Sequence, residues 1–143
     1  MAGQPTSPSA IAAAVIVAAG RVLMVRRRVA EAQLSWQFPA GAIEDQETAT
    51  QAAVRETVEE TGLRVTPIDV LGSRVHPATG RHMTYVACQV EEGTATVCDT
   101  EELAELAWCD RSTLAAHVPY PFFEPVAAYL DAHLAPSPEQ GTS

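Results

Sequence analysis

Apolar and β-branched positions run almost unbroken through AIAAAVIVAAG (10–20) and RVLMVR (21–26), with Gly20 between them. Such runs predict two consecutive strands, 10–19 and 21–26, joined by a tight turn. The first run is too short for a bilayer span, which takes roughly 20 apolar residues. Its positive charges, Arg26 to Arg28, follow it, whereas a signal peptide carries them in front. RRVAEAQLS reads as a polar connection, and WQF (36–38) as a short strand stopped by Pro39 and Gly41.

The spacing then changes. Thr48 followed by Gln51 matches a capping box, and Gly62 supplies a C-terminal stop, which predicts a helix between them. Residues 64–75 and 82–90 read as strands on either side of the loop HPATGR, with a weaker strand at 103–109. STLAAH fits a short helix, and 122–134 a longer one that tolerates Pro125 in its first turn. The small, polar, proline-bearing ends predict a disordered arm at 1–9 and a flexible tail at 135–143, around one domain at 10–134. Strands before and after a central helix, with a helix last, predict a mixed α/β sandwich. The order of the strands does not follow from the pattern.

Composition narrows the chemistry. A chain of 143 residues, 47% hydrophobic and 19% charged, suits one globular core. Cys88, Cys98 and Cys109 are scattered without a C-x-x-C pair, the pattern of reduced thiols in a cytoplasmic protein. The net charge of −9 argues against a nucleic-acid polymer as partner, and the apolar pattern against a membrane. A small phosphorylated ligand remains compatible, because metal ions neutralise both ligand and site. All nine basic residues are arginines, which excludes a lysine-bearing P-loop and a Schiff base.

The densest acidic stretch is VRETVEETG, on the central helix. At helical spacing Glu56, Glu59 and Glu60 fall within about a 100° arc. Ala49, Ala52 and Ala53 share that side, and Val54 and Val58 point elsewhere, toward a plausible core. Glu56 facing Glu60 at i,i+4 costs a few tenths of a kcal/mol, and no lysine offsets it. Arg55 borders the face and can pair with Glu59. A solvated helix face usually mixes both signs, whereas this one suits hard divalent cations such as Mg²⁺. A free backbone carbonyl at the Pro39–Gly41 bend could serve as another ligand.

Gly41, Glu47 and Arg55-Glu56-Thr57-Val58-Glu59-Glu60-Thr61-Gly62-Leu63 together resemble the Nudix box, G-x5-E-x7-R-E-U-x-E-E-x-G-U, where U is bulky and apolar. Every defining glycine, glutamate and arginine is present, and Thr57 at an apolar position is the one departure. The resemblance implies an α/β/α sandwich with a mixed central sheet and a loop–helix–loop that holds Mg²⁺, or Mn²⁺ as a substitute, against a diphosphate. It implies Glu56 and Glu60 as metal ligands, and Glu59 as a further ligand or the group that orients or deprotonates water. The carbonyl of Ala40 would complete the metal site. Glu47 and Arg55 would brace the loop, and Gly41 would border the substrate.

Outside the box the alternatives stay open. Arg26 is either a phosphate contact, as an arginine at this kind of position is in related enzymes, or a solvated strand end. Trp36, in a lead-in resembling that of MutT-like members, is a core aromatic or a base-stacking one. Arg74 and Arg81 flank the HPATGR loop and could bind phosphate or lie on the surface, and His76 has the same ambiguity. Glu102 is a further metal ligand or base, or a solvated turn residue. His82, His117 and His133 show no ligand spacing.

The resemblance therefore implies a Mg²⁺-dependent pyrophosphohydrolase of a nucleoside diphosphate linked to another group. The MutT-like lead-in favours a nucleoside triphosphate, standard or oxidised, giving the monophosphate and pyrophosphate. Pro77 and PAG in place of PGG lean toward ADP-ribose or a nucleotide sugar. A non-catalytic nucleotide-sensing module of the same fold usually loses box residues, and none is lost here. Isopentenyl-diphosphate isomerase needs an early cysteine that this chain lacks. Homodimers are frequent in the family.

Overall fold

The computed structural model describes residues 10–31 and 34–136. The arm expected at 1–9 lies outside the described residues, as do residues 137–143 of the tail expected at 135–143. The strands are β1 (Ile11–Ala18), β2 (Arg21–Glu31), β3 (Leu34–Gln37), β4 (Ala40–Ala42), β5 (Arg64–Val75), β6 (His82–Glu92) and β7 (Leu103–Cys109). The helices are α1 (Ala49–Thr61), α2 (Arg111–His117) and α3 (Glu124–His133). Among the described residues no helix is long and apolar enough to cross a membrane.

The β1–β2 turn is the two-residue type that hairpins favour. Ala19 and Gly20 both take positive φ, 52° and 76°, between the pairs Ala18–Arg21 and Val17–Val22. After those two pairs the strands separate. The rest of β1 pairs antiparallel with β4 and parallel with β6, while β2 pairs antiparallel with β3 and β7. β5 closes the other edge, antiparallel to β6. A parallel β1–β6 pair needs a crossover, and α1 lies on it.

Alternation along β1 sorts the core into two layers. Ala12, Ala14 and Ile16 face Ala52 and Ala53 of α1 with Leu63, Val86 and Cys88. Ile11, Ala13 and Val15 face the opposite layer with Met24, Phe38, Tyr85, Leu114, Val126 and Leu130, which includes α2 and α3. Helices on both faces make the sandwich α/β/α, and explain why β1 is an apolar run without alternation.

Two sequence expectations need correction. The polar connection RRVAEAQLS is mostly strand, since β2 runs to Glu31 and β3 starts at Leu34. Val58 does not point to the core: it is 41% exposed, and the small side chains Ala52, Ala53 and Thr57 are buried instead. Thr57, the departure from the box pattern, carries no unmet polar atom, because its hydroxyl donates to the Ala53 carbonyl at 2.7 Å.

Candidate active site

α1 is fixed at both ends by its own sequence. The Thr48 hydroxyl accepts from Gln51 N–H at 3.0 Å, and the Gln51 side chain accepts from Thr48 N–H at 2.9 Å. Gly62 stops the helix in the left-handed region at φ 73°. The acidic turn between them therefore has a set orientation.

Arg55 organises the loop ahead of the helix. Its Nε and Nη2 grip the Glu47 carboxylate at 2.7 and 2.8 Å, and Nη2 also donates to the Ala42 carbonyl at 2.9 Å. Its Nη1 reaches Glu56 at 3.0 Å and Glu59 at 3.2 Å. The hydrogen bonds from Arg55, helped by the Glu44 N–H, hold the Glu47 carboxyl down at about 2. The same contacts raise Arg55 further above its ordinary value.

The carboxylates differ in environment. The Glu60 side chain is only 5% exposed and that of Glu56 14%, whereas Glu59 stands 55% exposed. Burial pushes Glu60 up to about 7, with Arg27 opposing and Glu56 adding to the rise. Burial raises Glu56 as well, against the hydrogen bond from Arg55. Glu60 accepts from the Ala40 N–H at 3.3 Å. Gly41 packs so closely on Glu56 that a Cβ there would collide with the carboxyl group.

A second cation beside this cluster is Arg27, whereas the sequence points to Arg26. Arg27 Nη2 donates to the Ala40 carbonyl at 3.2 Å and lies 3.6 Å from Glu60. Its Nη1 reaches Glu102 and its Nε reaches Gln37 Oε1, each at 3.4 Å. Arg26 instead pairs with Glu105 at 2.6 Å, its cross-strand partner on β7, and does not line the cleft. Counting by twos from the cleft residue Met24 gives Arg26, but Arg27 and Val29 line the cleft, and the ladders of β2 with β3 and with β7 both shift register beyond Arg26.

Arg27 opens with the acidic turn of α1 into one cleft of about 1360 Å³. Glu56, Glu59, Glu60 and Glu102 line it, as do the main chain at Ala40 and Gly41, and Arg74 and Arg81. The 76–81 loop stands at the cleft, closed by hydrogen bonds from His76 N–H to Arg81 O and from Gly80 N–H to His76 O, each 2.8 Å. Trp36 also lines it, stacked on His117 with ring centroids 4.2 Å apart. His117 had no signal in sequence, because its partner lies on a distant strand.

Among the described residues no three His, Cys, Asp or Glu side chains are gathered at metal-holding distance. Guanidinium groups take up the carboxylates here. The donor set still fits a hard divalent ion: two largely buried carboxylates with raised pKa, a carbonyl at Ala40, and a glycine that makes room for Glu56.

A family model, the NUDIX domain, matches residues 6–130. The chain is 32% identical over 100 residues to the CTP pyrophosphohydrolase of Escherichia coli K12, covering 69% of this chain and 73% of that one. It is 32% identical over 108 residues to nucleoside diphosphate-linked moiety X motif 6 of Xenopus laevis. That match covers 66% of this chain and 49% of the frog protein, so the chain spans about half the length of that relative. The fold matches the crystal structure of a NUDIX hydrolase from Nitrosomonas europaea with a TM-score of 0.74 at 20% identity, over 96% of this chain and 76% of that one.

Proposed function

This chain belongs to the Nudix family, and on that premise we propose that it is a Mg²⁺-dependent pyrophosphohydrolase of a nucleoside triphosphate, releasing the monophosphate and pyrophosphate. The observation that carries the reading is a complete set of box carboxylates, with Glu56 and Glu60 largely buried yet facing a cleft large enough for a nucleotide. Nudix proteins generally use divalent metals. Glu56, Glu60 and the Ala40 carbonyl would hold the ion, with Glu59 or Glu102 as a further ligand.

A bound ion would neutralise charge on the diphosphate oxygens and lower the pKa of water. The chain's own residues supply the rest. Glu59, half exposed and held only at one oxygen by Arg55, is free enough to orient a water and take its proton. Arg55 and Glu47 keep the loop and Glu56 in place. Arg27, rather than Arg26, is the arginine placed to meet a phosphate oxygen, since it lies beside Ala40 and Glu60.

Pro77 and the 76–81 loop at the cleft favour the second reading, ADP-ribose or a nucleotide sugar. A panel of nucleoside triphosphates, oxidised dNTPs, ADP-ribose, dinucleoside polyphosphates and nucleotide sugars, scored by kcat/KM, separates the two. EDTA should abolish turnover and added Mg²⁺ restore it. No turnover of any member of the panel would leave the non-catalytic nucleotide-sensing module.

A further inference from the structure

Arg74 differs from the two arginines that hold the acidic groups. Arg27 and Arg55 are paired with carboxylates, but among the described residues no carboxylate pairs with Arg74. Its guanidinium lies 5.2 Å from the Phe123 ring centroid and 5.8 Å from that of Tyr85. Nε and Nη2 each make one long contact, 3.4 Å, with the Tyr85 hydroxyl. A guanidinium has five N–H donors, so these contacts leave donor capacity facing the cleft.

The surroundings of Arg74 are aromatic. Phe38 meets Tyr85 edge-on with centroids 6.2 Å apart, and Phe122 and Phe123 tilt against Phe38 and Tyr85 at 5.7 and 5.6 Å. Gly72 of β5 makes this possible, since a Cβ there would sit 3.1 Å from the Phe123 ring at a φ of 150°. The carboxylates that line the cleft come from α1 and from residues 99–102. None comes from β5, β6 or the 118–126 segment, which surround Arg74.

Resting on the nucleotide reading above, we propose that Arg74 reads the base: the aromatic end of the cleft takes a nucleobase, and the guanidinium selects one that presents two adjacent hydrogen-bond acceptors. Guanine offers O6 and N7, and cytosine O2 and N3, each spaced for a bidentate guanidinium. Adenine and uracil have no such adjacent pair. Adenine sets an amino donor beside each such acceptor, so it would face the guanidinium donor against donor. Position N7 of 8-oxoguanine carries a hydrogen, so oxidation would weaken the contact rather than favour it. The arginine thus acts on specificity, away from the phosphates.

The test is kcat/KM with Mg²⁺ for GTP, ITP, CTP, ATP, UTP and 8-oxo-dGTP, on the wild type and on Arg74→Met with its fold checked by circular dichroism. The expected wild-type order places GTP, ITP and CTP at least about tenfold above ATP and UTP, with dGTP above 8-oxo-dGTP. Arg74→Met should reduce the GTP-to-ATP ratio to within about threefold, chiefly through KM for GTP. Equal use of GTP and ATP by the wild type overturns the proposal, and so does an equal loss for every nucleotide in the variant. Binding of GDP and ADP by calorimetry asks the same question without turnover. A GDP preference lost in Arg74→Met, in a protein that hydrolyses nothing, would sink the hydrolase reading and support base selection.

Discussion

The main chain at Gly41 lies flush against the Glu56 carboxyl group, in space that any side chain at position 41 would need. Gly41→Ala should therefore displace Glu56 without disturbing α1, whose caps lie elsewhere. Loss of such support for a ligand typically costs 10- to 100-fold, and we predict a drop of about that size in kcat/KM at fixed Mg²⁺. Steady-state kinetics beside a far-ultraviolet spectrum would show it; an alanine variant as active as wild type would remove Gly41 from the site.

Glu47 is held low, at about 2, by Arg55. A carboxyl with a depressed folded pKa contributes stability that is present above its unfolded value and lost as pH falls through the folded one. Stability should thus decline between about pH 4.5 and pH 2, and Glu47→Gln should flatten that limb. Urea melts at pH 3 and pH 6 measure it, and parallel acid limbs in the two proteins would contradict the assignment.

Glu60 behaves in the opposite sense. Burial raises it to about 7, so the metal-free fold is favoured below its ordinary value near 4.5 and loses that contribution as pH rises toward 7. A divalent ion bound there competes with the proton, so Mg²⁺ should raise the Tm more at pH 8 than at pH 5.5. Glu60→Gln should abolish the Mg²⁺ shift and most of the turnover while raising the metal-free Tm at pH 8. Thermal melts with and without Mg²⁺ decide the matter, and a pH-independent Mg²⁺ shift would count against Glu60 as ligand.

The thiols should separate cleanly. Cys88 and Cys109 are fully buried, with burial pushing them up to about 12 and about 11, while Cys98 is exposed. Native protein at pH 8 should react with one equivalent of a thiol reagent, at Cys98, and with three only after unfolding. Peptide mapping by mass spectrometry identifies the site; rapid labelling of Cys88 in the folded protein would contradict its placement between β1 and β5.

Features set by neighbouring residues were legible in the sequence. The Ala19–Gly20 turn, the Thr48–Gln51 box and the Gly62 stop each depend on a few adjacent positions, and β5 and β7 occur where the pattern put them. The acidic residues of α1 were legible because helical spacing alone puts them on one side. Arg27 was not, because the ladders of β2 with β3 and with β7 lose their regular register just where the two arginines stand. The exposure of Val58 escaped for another reason: Ala12 and Ala14 of β1 share a layer with the slim Ala52 and Ala53 of α1, which take the buried side of the helix. The Trp36–His117 stack joins elements that only the fold brings together.

The parallel pairing of β1 with β6, Ile11 beside Met83, bears on the order of assembly. Closing so long a stretch of chain is entropically slow, and α1, which packs on β1, β4, β5 and β6, has its full seat only when it is done. Contacts made after the transition state slow unfolding rather than speed folding. A cation seated on the acidic turn would therefore act as a latch, lengthening the lifetime of the finished molecule without hastening its formation.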